Sequence, residues 1–369
     1  MSAAPSLADL RAYAVARSLR PAASIADAIA ALGFLQLDPI RAPARAADLI
    51  LRARVPAYRV GDLDRDYPAL PLAEDYFHVY GVVPEPTLRL LHPRPARWRR
   101  HVEREHPRLA GRLLAHVHET GEAHPRDVAA RFGRGSVVNG WGGQSSATTR
   151  VLEALHHRGQ LRVARRVNGI KVYAPARASG EPLPAPARAR AMLMLLLGLY
   201  APLPEASLRE LARMVTETSL PPLARARAFA ALLRDDAVAS TVIDGVRWLW
   251  PANETPAGDA PARALLLAPF DPVVWDRRRF AAFWGWDYRF EAYTPPAKRC
   301  FGYYALPLLW RDRVVGWANA SLRAGTLAVE VGYAGTAPRE RGFTRALAAD
   351  VARLGEALDA PRVEIRGGT

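Results

Sequence analysis

Cysteine and lysine are nearly missing from this 369-residue chain, which has one cysteine, Cys300, and only two lysines, Lys171 and Lys298. A single thiol excludes an internal disulfide, a cysteine-built zinc site and a cysteine-ligated iron–sulfur cluster. Two lysines leave few side-chain amines for a Schiff base, so covalent lyase chemistry is not expected. Long apolar runs are lacking too. The longest, around residues 191–201, is too short to cross a bilayer, and no stretch joins a charged start to an apolar core and a small-residue cleavage site. Walker loops, dinucleotide fingerprints and nucleophile elbows do not occur. His116 and His118 diverge on a helix and His156-His157 suits a helix dipole, so neither a metal nor a cofactor is expected. What remains is a folded, cytoplasmic, bacterial-type protein with no membrane association and no sign of an oligomer, hence a monomer.

What is present in excess is arginine. Lys and Arg total 51 against 36 Asp and Glu, a net charge of +15. A surplus of that size suits a polyanionic partner, because each neutralised phosphate releases counterions and adds sequence-independent affinity. Part of the surplus also fits the Ala-, Arg- and Pro-rich composition that a GC-rich genome encodes. Nucleic acid is nevertheless the first expectation, since the basic residues gather in helix-turn-helix-like units.

The chain reads as α+β, with tandem winged helix-turn-helix domains followed by a small antiparallel β-barrel or sheet. Residues 1–100 form a winged-helix-like segment, in which a helix opening at Ser24 with Asp27 three residues on ends at Gly33. Residues 101–180 form a second: helices near 108–119 and 126–132, a glycine-rich loop at Gly140-Trp141-Gly142-Gly143, a helix near 145–158, and a hairpin turning at Asn168-Gly169. On such a unit the third helix, with Arg150, meets a DNA groove, and Arg165, Arg166 and Lys171 on the wing reach phosphates; these side chains equally suit a merely soluble hairpin. Residues 181–252 repeat the order after a Pro/Ala/Arg-rich linker at 179–188, with Asp244-Gly245 as the hairpin turn and Trp248 and Trp250 as packing residues. Residues 253–369 are β-rich and aromatic, with strands expected at 265–267, 288–293, 301–310, 314–320 and 327–333 before a helix near 340–358. The charged turn Arg311-Asp312-Arg313 suits either a DNA-touching finger or plain solvation.

The most telling stretch is Phe34-Leu35-Gln36-Leu37-Asp38-Pro39. In an extended segment side chains two apart share a face, so the Gln36 carboxamide and the Asp38 carboxylate point one way. These residues also suit a second arrangement, in which Asp38 caps a helix beginning at Pro39 and Gln36 is solvated. The wider text, Leu32-Gly33 through Pro39-Ile40-Arg41-Ala42-Pro43-Ala44-Arg45-Ala46, resembles the AlkZ-like (YcaQ-type) winged-helix DNA glycosylase family, which carries a Gln-hydrophobic-Asp or Gln-hydrophobic-Gln signature at this point. The likeness recurs in Pro269-Phe270-Asp271-Pro272, Trp275-Asp276-Arg277 and the text of 287–295 to 306–307.

The resemblance implies tandem winged helices and a β-barrel forming a DNA-binding channel, with Gln36 and Asp38 catalytic. It implies excision of N-alkylated purines, such as 7-alkylguanine, from double-stranded DNA by a monofunctional glycosylase associated with the nucleoid. Some members also unhook interstrand crosslinks. Candidate DNA contacts are Arg41, Arg45, Arg150, Arg165, Arg166, Lys171, Lys298 and Arg299. The chain departs from the family pattern at Ala47-Asp48, where a His-His pair is usual, and at Trp317, Asn319 and Ser321, which replace an Arg-x-Asp-x-Lys pattern; residues 74–84 match only loosely. The competing reading is a non-catalytic winged-helix DNA-binding protein, either a transcriptional regulator or a damage binder.

Overall fold

Two kinds of local signal, capped helices and tight hairpin turns, set the elements on which everything else is hung. A computed structural model of the chain describes residues 4–94, 101–138, 143–177, 180–219, 222–257, 260 and 262–367. The anticipated loop at Gly140-Trp141-Gly142 and the start of the linker at Ser179 lie outside the described residues. The contacts divide the chain into two units, one built from residues 1–63, 193–212 and 229–369, the other from 64–192 and 213–228. Among the described residues no helix is long and apolar enough to cross a membrane.

In the first unit the helix Leu7–Ser18 is fixed at its start by a full capping box between Ser6 and Asp9, and Ile25–Leu32 by the Ser24 side chain. Each cap satisfies an otherwise orphaned helix N–H. A five-stranded sheet runs in the order Ala264–Leu266, Leu306–Trp310, Arg313–Arg323, Thr326–Tyr333, Arg362–Arg366. The first four strands pair antiparallel, but the last pairs parallel with Thr326–Tyr333. This corrects the expectation of a wholly antiparallel sheet. The physical reason is the helix Phe343–Ala357 between the last two strands, since a strand, helix and returning strand form a crossover that forces parallel pairing.

A second correction concerns residues 288–293 and 301–305, expected as strands. They belong to a long irregular segment instead, and only Leu306–Trp310 pairs. Pro295 and Pro296 have no N–H to give a ladder, and Glu291 captures the N–H groups of Cys300, Phe301 and Gly302 that a strand would have used. Trp248 and Trp250 are buried, as expected of packing residues, Trp248 lying flat on Phe283 with ring centroids 5.0 Å apart. The charged turn Arg311-Asp312-Arg313 is not free: Asp312 accepts from Arg11 at 2.6 Å and its carbonyl accepts from the Trp284 indole at 2.9 Å.

The second unit contains the helices Pro107–Thr120, Pro125–Phe132 and Ala147–His157, followed by the hairpin Leu161–Val167 and Ile170–Pro175. Asn168 and Gly169 turn it with φ of 50° and 80°, the left-handed pair that a two-residue hairpin requires. A further hairpin, Leu72–Tyr76 with Tyr80–Pro84, carries two buried carboxylates, Glu74 and Asp75.

Candidate active site

Gly33 sets the approach to the motif. It ends the helix Ile25–Leu32 at φ +76°, and an added Cβ would lie 2.4 Å from Leu195 Cδ1, so both conformation and space demand glycine. Phe34 and Leu35 then plug the core at 2% and 1% exposure, and Gln36 follows, partly exposed, at the end of a short strand. Asp38 folds over itself: its Oδ1 accepts from the Ile40 N–H at 3.0 Å, an Asx turn. It caps no helix, since the next one, Ala46–Arg52, starts only after Arg45. Of the two arrangements open to these residues, the helix cap at Asp38 does not form, and the extended one holds only for Leu35–Gln36, with Asp38 turning back beyond the strand.

The Gln36 amide is oriented by Trp275. The indole Nε1–H donates to Gln36 Oε1 at 2.8 Å, and because an indole nitrogen only donates, the amide oxygen must face it. The Gln36 Nε2 donors are therefore turned away from Trp275 and are the part of the amide offered elsewhere. Trp275 is itself firmly held. Its ring stacks on Tyr200 with centroids 4.9 Å apart, and it sits in a loop whose carbonyls are claimed by arginines. Arg277 donates to the carbonyls of Val274 and Pro269, at 2.5 and 3.0 Å, while Arg279 donates to those of Pro272, Val273 and Tyr200. Burial pushes the Arg279 guanidinium down to about 10, which still leaves it charged at neutral pH. At the head of the loop Asp271 receives both Arg54 Nη atoms at 2.8 and 3.0 Å, a fully buried bidentate pair. At its foot Asp276 caps the helix Arg277–Trp284 and accepts from Ser207.

Asp38 has no such company. No cation pairs with it among the described residues, and burial raises its carboxyl above the ordinary aspartate value, the Ile40 N–H offsetting this only in part. Tyr304, 2% exposed, has its phenol pushed up by burial first and by the Asp38 charge second, and its hydroxyl has no hydrogen-bond partner among the described residues. A donor amide and an acceptor carboxylate two residues apart can hold and polarise one water molecule; no cluster of three or more His, Cys, Asp or Glu that could hold a metal ion occurs among the described residues.

The expected DNA contacts divide sharply. Arg41 and Lys298 are exposed, and Arg299 donates to the Thr294 carbonyl at 2.8 Å with its guanidinium 5.1 Å from the Tyr303 ring. Arg165 is exposed and pairs with Glu122 at 3.0 Å, and Arg150 pairs with Glu153. Lys171 lies 3.7 Å over the Tyr80 ring. Two of the candidates are better explained as scaffolding. Arg45 is buried on Asp48, and Arg166 grips Glu74 through Nε at 2.7 Å and Nη2 at 2.6 Å. A guanidinium so committed has little left for a phosphate. Ala47 and Asp48, the departure from a His-His pair, are buried as well, Asp48 also accepting from the Tyr58 hydroxyl at 2.8 Å. Sequence reasoning assigned no role to Trp275, Tyr200 or Tyr304. Only the text around Trp275-Asp276-Arg277 drew notice, and nothing local ties it to a glutamine 239 residues away.

Residues 29–357 match the sequence model of the family described as DNA glycosylase AlkZ-like. Among solved structures, the chain is similar to the Streptomyces sahachiroi DNA glycosylase AlkZ, with a TM-score of 0.64 at 17% identity and 100% of each chain covered. At that identity the structural likeness is one of fold.

Proposed function

From the premise that the chain belongs to the AlkZ-like DNA glycosylase family, we propose that it is a monofunctional glycosylase that hydrolyses the N-glycosidic bond of N-alkylated purines in double-stranded DNA. The single observation that carries this reading is the pairing of a Gln36 amide locked by Trp275 with an Asp38 carboxylate that no cation neutralises. Tandem winged helices delivering the duplex to this pair, and action as a monomer, belong to the same proposal.

The chemistry follows from the charges. An N7-alkylated guanine is already cationic, so the C1′–N9 bond breaks with its electron pair moving onto the base, which departs neutral. Positive charge is left on the deoxyribose as an oxocarbenium ion, which the Asp38 carboxylate stabilises from nearby. Water then attacks C1′, with Gln36 Nε2 donating to its oxygen and Asp38 taking its proton, giving an abasic site. Neutral purines lack the positive charge that makes the leaving group good, so discrimination rests on intrinsic reactivity more than on a deep base pocket. Single-base lesions are the proposed substrates in preference to crosslinks, because positions 47 and 48 are occupied by buried packing and an ion pair with Arg45. Arg41, Lys298 and Arg299 in the first unit, with Arg150, Arg165 and Lys171 in the second, are the proposed phosphate contacts.

The test is release of 7-methylguanine from methylated duplex DNA. Release by the wild type that vanishes in Gln36→Ala and Asp38→Asn, with DNA binding retained, supports the reading. No release from a folded, DNA-binding wild type across methylated and larger alkyl adducts would sink it and leave a damage-binding protein.

A further inference from the structure

The irregular segment at 286–303 is held too well for a loop with nothing to do. The buried Glu291 carboxylate accepts from the N–H groups of Cys300, Phe301 and Gly302 at 2.9, 2.8 and 3.3 Å, closing the loop at its neck. Asn319 Nδ2 donates to the Phe301 carbonyl at 2.7 Å and Trp317 packs edge-on against the Phe301 ring at 4.8 Å. Two of the three residues that depart from the charged strand pattern thus serve as the anchor of this loop. Across the tip, Arg299 Nε ties back to the Thr294 carbonyl.

What the clasp presents is an aromatic ring in solvent among cations. Tyr293 is 81% exposed, and Tyr303 is 44% exposed. Arg289 and Lys298 are exposed on the same segment, with Asp287 the exposed acid. The loop also leads inward by ring contacts: Tyr293 meets Phe290 at 6.1 Å, Phe290 meets Tyr304 at 5.4 Å, and Tyr304 senses the Asp38 charge. An exposed ring on a segment that also carries exposed cations, continued inward by the ring contacts of Phe290 and Tyr304, matches the way proteins hold unpaired nucleotides, with stacking for the base and cations for the backbone.

We propose that this loop is a base-stacking platform, on which Tyr293 stacks against an unpaired or displaced nucleobase at the lesion while Lys298 and Arg289 meet the flanking phosphates. It rests on the glycosylase reading for its location beside the lesion and deepens it by naming a contact to the unpaired base. Because Tyr293 is so exposed, its replacement leaves the fold intact, which makes the test clean.

The full-length protein would be titrated with a short duplex carrying one bulged 2-aminopurine and with the fully paired duplex of the same sequence. The wild type is expected to quench 2-aminopurine fluorescence and prefer the bulged duplex. Tyr293→Ala should lose the quenching and weaken bulged-duplex binding about tenfold or more, with paired-duplex binding unchanged, and Tyr293→Trp should restore both. Lys298→Ala should weaken both duplexes together. Retained quenching and preference in Tyr293→Ala, or equal weakening on both duplexes, would overturn the proposal. Release of 7-methylguanine by the wild type is scored in parallel. Stacking without release defeats the glycosylase reading alone, and release without stacking defeats the platform alone.

Discussion

Glu74 and Asp75 in the second unit and Asp38 in the first are carboxylates treated in opposite ways. In the second unit Glu74 is gripped by both faces of the Arg166 fork and by the Tyr80 hydroxyl at 2.7 Å, and Asp75 by Arg94 and His92. Burial alone would raise both carboxyls, but Arg166 at Glu74, and Arg94 with His92 at Asp75, more than offset it and hold them below the usual range. In the first unit Asp38 has one backbone N–H, no cation, and a carboxyl raised by burial. A carboxylate paired with arginine is committed to the fold, whereas a half-buried one without a cation is a candidate for function.

Substitutions can sharpen or break that contrast. The largest expected effect is Asp38→Asn, which should lower excision by about a hundred- to ten-thousand-fold, the range of acid–base and charge-stabilising groups, while DNA affinity measured by fluorescence anisotropy holds. Glu74→Ala should do the reverse, costing about 3–5 kcal/mol in urea unfolding because Arg166 is left buried without its partner, with any loss of excision following the fraction unfolded. The contrast fails if Asp38→Asn unfolds the protein or Glu74→Ala leaves its stability untouched.

The pH dependence carries the same sign difference. Glu74 and Asp75 have depressed folded values, so their stabilisation is complete above the ordinary carboxylate range near about 4 and is lost as pH falls below it. Asp38 has a raised folded value, so its ionisation weakens the fold as pH rises past that range, and Asp38→Asn should be slightly more stable than wild type at pH 7 but not in acid. Excision should decline on the acid side at a pH above about 3.9, the free aspartate value, and a pH–rate profile reads this directly. Trp275→Phe is expected to cost about two- to tenfold in kcat with KM little changed, the worth of one hydrogen bond that only orients the amide. The smallest effect is Arg165→Ala. It should leave kcat alone and reduce the salt dependence of DNA binding by about one ion, detectable in a titration series over ionic strength.

Local chemistry made much of this molecule readable from its sequence. Capping residues at Ser24, the stop at Gly33 and the turn at Asn168-Gly169 act over a few residues and fall where the pattern places them. The Gln36 to Asp38 stretch follows its pattern only in part, extended at Leu35–Gln36 behind buried Phe34 but turned at Asp38. What sequence did not give is decided by pairing over long separations. Arg45 and Arg166 look like any surface arginine until Asp48 and Glu74 are seen to hold them. The parallel edge strand at Arg362–Arg366 depends on where the preceding helix lays it down. The indole on Gln36 and the Tyr304 phenol come from loops whose folds are set by arginines and a glutamate binding backbone, a device with no periodic signature.

The span between Gln36 and Trp275 also has a meaning in time. On the ribosome the glutamine emerges 239 residues before its indole partner, a delay of roughly 12 to 48 seconds at ordinary elongation rates. Arg52 waits longer still, for Asp350, 298 residues on. A nascent chain therefore displays Gln36 long before Trp275 can orient its amide, and that orientation waits on the folding of the later segment.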